Sequence, residues 1–93
     1  MLLSLSLNNS KLYAGIQIYE TGGKLSIDLT EEALNKIGEN VEAIIKEEKD
    51  RTEITLTGAA PIPVYLVVFH IVVHRFKKVY YDNEMYNLLI ARH

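Results

Sequence analysis

Between Thr57 and Phe76 the chain reads TGAAPIPVYLVVFHIVVHRF, a glycine-containing turn leading into a long apolar run opened by two prolines. Proline is tolerated in the first turn of a helix because its missing N–H would have no partner there, so Pro61 and Pro63 mark a helix start. Val64, Val67, Val68, Ile71, Val72 and Val73 are β-branched and favour a strand. The run is nevertheless longer than an ordinary strand, and strand interiors do not open on paired prolines. The pattern therefore predicts a helix to about Phe76. A helix that is apolar nearly all round needs covering on every side, so part of it is expected to pack against a second copy of the chain. His70 and His74 interrupt the run well short of the about 18 to 20 apolar residues a membrane span needs.

Every histidine, His70, His74 and His93, lies in this last part of the chain. A spacing of four puts His70 and His74 one turn apart on one helix face. Ahead of them, Thr57, Gly58, Ala59 and Ala60 offer free backbone N–H groups at the positive end of the helix dipole, a setting that suits a phosphate. After the helix come Arg75, Lys77 and Lys78, then VYYD, a strand ending on Asp82, and a last strand toward His93. Tyr80 and Tyr81 read as strand residues, although an aromatic face can also hold an adenine. The terminal His93 is expected to fray.

Upstream, Leu3, Leu5 and Leu7 alternate with Ser4 and Ser6, and Leu12, Ala14, Ile16 and Ile18 alternate with polar or small neighbours. With Asn8-Asn9-Ser10 between them, these runs predict an antiparallel hairpin. Thr21-Gly22-Gly23 ends it, and Leu25, Ile27 and Leu29 suggest a third short strand. Thr30 followed by Glu31 and Glu32 is a helix N-cap with acids in the first turn. The helix it opens carries Leu34, Ile37, Val41, Ile44 and Ile45 on one face. Gly38 costs about 1 kcal/mol there relative to alanine, leaving an intact helix and a break near Gly38-Glu39-Asn40 as alternatives. TEITLT, from Thr52 to Thr57, is a strand that delivers the chain to the Gly58 turn. The fold expected is a small single α/β domain over residues 1–93, a mixed sheet of five or six strands with two helices, Rossmann-like in its strand, turn and helix unit.

Charge is distributed unevenly. Residues 1–56 hold six Lys and Arg against ten acids, and residues 57–93 hold four against two, which gives −4 and +2 and sums to the net −2 of the chain. Arg75, Lys77 and Lys78 either complement a helix C-terminus or form a local phosphate-facing patch. An acidic half argues against DNA or a long RNA track and is more compatible with a compact anion. The chain has no cysteine, which excludes disulfides and thiolate metal sites. With no signal peptide ahead of the first strand, a reducing cytoplasm is the expected compartment. A domain of 93 residues buries a modest share of its surface, so a homodimer or higher homo-oligomer is expected.

The strand ending in a Gly turn, the step from Gly58 to Pro61 into an apolar helix carrying His70, the strand closing on Tyr81-Asp82 and the last strand ending at His93 resemble the third class of CRISPR-associated ring nucleases. This is the Csx-three family of type III CRISPR systems. The resemblance covers Thr57 to His93; residues 1–56 resemble the family only in the order of their elements. It implies a small α/β protein related to cyclic-oligoadenylate sensor domains, dimeric, that degrades cyclic tetra-adenylate. Manganese-dependent cleavage of adenylate-rich RNA is also implied. Carried over, Gly58 and Pro61 match the phosphate-side turn, His70 the first helix histidine and Asp82 the catalytic aspartate. The family's second helix histidine falls on Val73, with His74 one position later, and Ala59 stands where a basic residue is common. Either His74 takes over the chemistry, or the protein holds the ring without cutting it.

In the first case His74 serves as general acid or base. Asp82 orients a hydroxyl or holds manganese, and Thr57 to Ala60 with Lys77 and Lys78 hold the phosphates. From a different class, His70 and His74 with a carboxylate have the spacing of a structural zinc site. Asp82-Asn83 is also a common turn pair, in which the aspartate accepts backbone N–H bonds.

Overall fold

A computed structural model describes Met1–His93. The elements in chain order are β1 (Leu2–Ser4), β2 (Tyr19–Thr21), β3 (Lys24–Ser26), α1 (Glu31–Lys46), β4 (Glu53–Thr57), α2 (Ile62–Val72), β5 (Lys78–Asp82) and β6 (Asn87–Arg92). Four strands form one mixed sheet in the order β1-β4-β5-β6, and β2 and β3 form a separate hairpin. The expected α/β class with two helices is what the chain adopts, but the six strands divide into a sheet of four and a separate hairpin instead of one mixed sheet of five or six. No helix is long and apolar enough to cross a membrane.

β1, β4 and β5 run parallel and β6 returns antiparallel. Parallel neighbours need a crossover, and two crossovers of the same right hand stepping in the same direction place both helices on one face of the sheet. Burial agrees. Leu3, Ile54, Leu56 and Val79 on the strands join Ile37, Val41 and Ile45 of α1 and Val64, Val68 and Val72 of α2 in one core. The alternate strand residues Ser4, Thr55, Thr57, Lys78, Tyr80 and Asp82 share the opposite face, which no helix covers.

α1 begins where expected: the Thr30 hydroxyl accepts the Ala33 N–H at 3.1 Å. It passes through Gly38 without a break. A Cβ at Gly38 would stand 3.4 Å from Ile71 Cδ1 and 3.8 Å from Val67 Cγ1, so this glycine is where α2 comes close to α1.

Four expectations need correcting. Residues 6–16 are turns, so no hairpin joins β1 to Leu12–Ile18. Leu12 and Tyr13 are adjacent and both buried, which one face of a strand does not allow. Asn9 folds the segment instead: its side chain donates to Ser4 O at 2.7 Å and accepts from Leu12 N at 3.3 Å. The hairpin lies later, at Tyr19–Ser26, where Gly22 and Gly23, both at positive φ, make a two-residue turn and the third strand stops at Ser26.

Helix α2 ends at Val72 rather than near Phe76. His74 and Arg75 continue as a tighter turn, donating to the carbonyls of Ile71 and Val72, which rolls Phe76 inward beneath the Arg51 guanidinium. Only the Val64, Val68 and Val72 stripe of α2 is fully buried, while Ile62 and Leu66 stay exposed. His93 is tied rather than frayed at its backbone, since its N–H donates to Lys77 O at 2.8 Å.

Gly58 joins β4 to α2 at φ +97°, and a Cβ there would lie 2.8 Å from Ser6 N and 2.9 Å from Ser4 Oγ. Both the left-handed backbone and the approach of the chain leaving β1 demand glycine. Gly58→Ala is therefore expected to destabilise the fold by about 2 kcal/mol or more. Urea unfolding checks this, and an unchanged midpoint would remove Gly58 as the constraint at this crossing.

Candidate functional site

The carboxyl ends of β4 and β5 meet at a cleft of about 530 Å³, with Thr57, Gly58 and Ala59 on one side and Tyr81, Asp82 and Glu84 on the other. It lies at the N-terminus of α2, beyond the ends of parallel strands, where open α/β sheets bind ligands. None of the N–H groups of Gly58, Ala59 and Ala60 is spent on a hydrogen bond within the chain. The two prolines of the first α2 turn add no donors of their own. The phosphate-side turn expected from the sequence thus shares a cleft with Asp82.

Asp82 is not the residue that shapes the turn after β5. Asn83 does that: its Oδ1 accepts from Met85 N at 2.8 Å and Tyr86 N at 3.0 Å, and its own N–H donates to Tyr86 O at 3.0 Å. The Asp82 carboxylate has no hydrogen bond or ion pair within the chain and lines the cleft.

Tyr65 and Tyr86, which the sequence did not single out, brace the cleft from below together with Tyr81. The Tyr65 hydroxyl on α2 donates to the Gly58 carbonyl. The Tyr65 ring meets Tyr81 edge to face at 5.6 Å, and Tyr81 in turn lies 6.2 Å from Tyr86. The signal was the fall of Tyr65 four residues after Pro61, one helical turn above the glycine loop.

His70 and His74 stand elsewhere. Their rings pack edge to face with centroids 5.3 Å apart, both exposed, at the C-terminal end of α2. Because α2 runs back against β4, that end lies by the start of β5, whereas Asp82 closes β5. The five residues of β5 separate the two ends by about 13 Å at roughly 3.3 Å per step. Lys77 and Lys78 fall at the histidine end, not beside the Gly58 turn: their N–H groups bond Arg51 O and Thr52 O, at the entrance to β4. Arg75 there pairs with Glu42 at 2.9 Å. Within one chain, then, the turn and Asp82 come together, and the two histidines come together with the lysines. The two groups lie at opposite ends of the sheet.

This placement bears on the metal readings. No three or more His, Cys, Asp or Glu side chains converge anywhere in the chain, so the zinc site of His70 and His74 lacks its carboxylate. For manganese, Asp82 and Glu84 on the cleft supply hard carboxylate oxygens of the right kind.

Burial, with Tyr81 adding to it, pushes the Tyr65 hydroxyl from its ordinary value near 10 up to about 12. Burial does the same to Tyr13, with Tyr65 the smaller cause, and the Tyr13 hydroxyl donates to Leu5 O at 2.5 Å. A tyrosine whose pKa is higher folded than unfolded stabilises the fold fully below pH 10, and that stability is lost as pH rises toward 12. Unfolding midpoints should fall across this window, and the double variant Tyr13→Phe, Tyr65→Phe should lose most of the dependence.

Comparison of the chain with protein-family models, with curated proteins and with solved structures finds no match.

Proposed function

We propose that this protein binds cyclic tetra-adenylate and cleaves it, as a ring nuclease of type III CRISPR defence in the cytoplasm, at a site made by two copies of the chain. The single observation that carries the reading is the free Asp82 carboxylate facing the unspent N–H groups of the Gly58 turn across one cleft. A turn residue would have had its carboxylate occupied, and Asn83 has taken that work.

Two features support a site shared between copies. The cleft carries Asp82 and Glu84 and no cation, so by itself it repels the phosphates it would have to hold. The cations and the candidate acid, Lys77, Lys78 and His74, lie at the other end of the sheet. A second copy presenting that end completes the charge balance.

The chemistry follows from these residues. The 2′-oxygen of an adenylate attacks the adjacent phosphorus and the bond from phosphorus to the 5′-oxygen breaks, leaving a 2′,3′-cyclic phosphate and a 5′-hydroxyl. Asp82 accepts the 2′-hydroxyl proton, and His74 of the second copy gives a proton to the departing 5′-oxygen. Gly58, Ala59 and Ala60 N–H groups, with Lys77 and Lys78 of the second copy, neutralise the charge that builds on the phosphate. Tyr81 offers a ring edge beside the cleft for an adenine. In the alternative role of Asp82, it and Glu84 would hold manganese, which would supply charge neutralisation at the phosphate.

His74→Ala and Asp82→Ala should each slow cleavage of cyclic tetra-adenylate by about 10²-fold or more while the protein stays folded. Mixing the two inactive variants should restore a measurable part of the rate, because some junctions then unite an intact Asp82 with an intact His74. Chromatography of the incubated ring reads the result. No recovery on mixing would contradict the shared site, and an intact ring that co-elutes with wild-type protein would replace the nuclease by a silent binder.

A further inference from the structure

β6 is the edge of the sheet, and its six residues, NLLIAR, keep one side of their backbone unpaired. Leu88, Leu89 and Ile90 are 45%, 38% and 50% exposed. Long apolar edges are a hazard that proteins blunt with charge, with proline or by shortening the strand, and the middle of β6 has none of these. The other edge, β1, has three residues.

The sequence of β6 is complementary to itself when turned end for end. Pairing two copies antiparallel about a two-fold axis between Leu89 and Ile90 sets Asn87 opposite the partner's Arg92, Leu88 opposite the partner's Ala91, and Leu89 opposite the partner's Ile90. Faces agree as well. Asn87 pairs with Asp82 and Arg92 with Lys78, so both point to the face without helices. Five residues apart on a regular strand they would point to opposite faces. The irregularity between Val79 and Tyr80, across which Ile90 is the extra residue of β6, brings them to the same one.

Charge gives a second, independent reason. Within one chain Arg92 lies beside Lys78, a like-charge pair, and Asp82 at the far end of the same face has no cation. The two-fold pairing brings the partner's Arg92 into the row of Asn87 and Asp82. Each copy relieves the imbalance of the other.

We infer that β6 is the seam of a homodimer in which two sheets join, in this register, into one of eight strands, and that each copy adds Arg92 to the charge environment of its partner's Asp82. The seam rests on β6 itself and does not depend on what the cleft binds.

The chain has no cysteine, which makes the register directly testable. In a Leu88→Cys, Ala91→Cys variant the two sites are about 10 Å apart within one strand, too far for an internal disulfide, but opposite one another across the seam. Oxidation should convert most of the protein to a covalent dimer, and either single variant should give little. Light scattering at micromolar concentration should show a dimer for the wild type and a monomer for Leu89→Lys. Leu66→Lys, on the exposed face of α2, should remain dimeric. Arg92→Asp should weaken dimerisation by about tenfold, and adding Asp82→Arg should restore it. A wild-type monomer would overturn the inference, as would a dimer that dissociates with Leu66→Lys but not with Leu89→Lys. Failure of the paired cysteines to cross-link in a folded dimer would overturn the register.

Discussion

The crossover from β4 through α2 to the parallel strand β5 governs where every candidate residue stands. Two parallel neighbours joined by a helix place the end of the first strand and the start of the helix at one end of the sheet. The end of the helix and the start of the second strand fall at the other. Gly58 makes the first of these corners possible, since no side chain fits between its backbone and the chain leaving β1. Once that corner is set, Asp82 must share the Gly58 end and His74 must lie opposite. Residues close in sequence are thereby kept apart in space.

The same geometry leaves one face of the sheet without helices and one edge without a partner. Both helices lie on the face of Ile54, Leu56 and Val79, and their mutual contact is close because Gly38 has no side chain to hold Ile71 and Val67 away. The core is therefore built from one face of the sheet and a single stripe of each helix, joined by Leu5, Leu12, Tyr13 and Phe76 from the connecting segments. Apolar residues that this layer does not reach, Ile62 and Leu66 on α2 and Leu88 to Ile90 on β6, are exposed. Such surface is the natural material of an interface between copies.

Much of this was legible in the sequence. Thr30 announced α1, the prolines announced α2, and the alternation of Ile54 and Leu56 announced β4, because each is a local signal whose cause lies within a few residues. The alternation from Leu12 to Ile18 misled, since a period of two does not reveal that Leu12 and Tyr13 are both needed in the core, nor that Asn9 bonds the backbone on either side of it. At the site, Gly58 and Asp82 were both named from the sequence through the resemblance. Neither their meeting nor the separation of His74 and Lys77 from Asp82 was readable from spacing, which carries no direction until the strands are known to be parallel. Tyr65, which bonds the Gly58 carbonyl, was hidden for a similar reason: its partner lies on the turn that the helix itself creates.

One ring, in the function we propose, engages both ends of the sheet through two copies of the chain. Amide resonances followed during titration with cyclic tetra-adenylate methylated at its 2′-oxygens, so that it cannot be cut through them, test this most directly. Gly58 to Ala60 and Asp82 should shift together with His74 to Lys78, along one binding curve, although the two groups stand at opposite ends of β5. Shifts confined to the Gly58 end, with the histidine end unmoved at saturation, would contradict it.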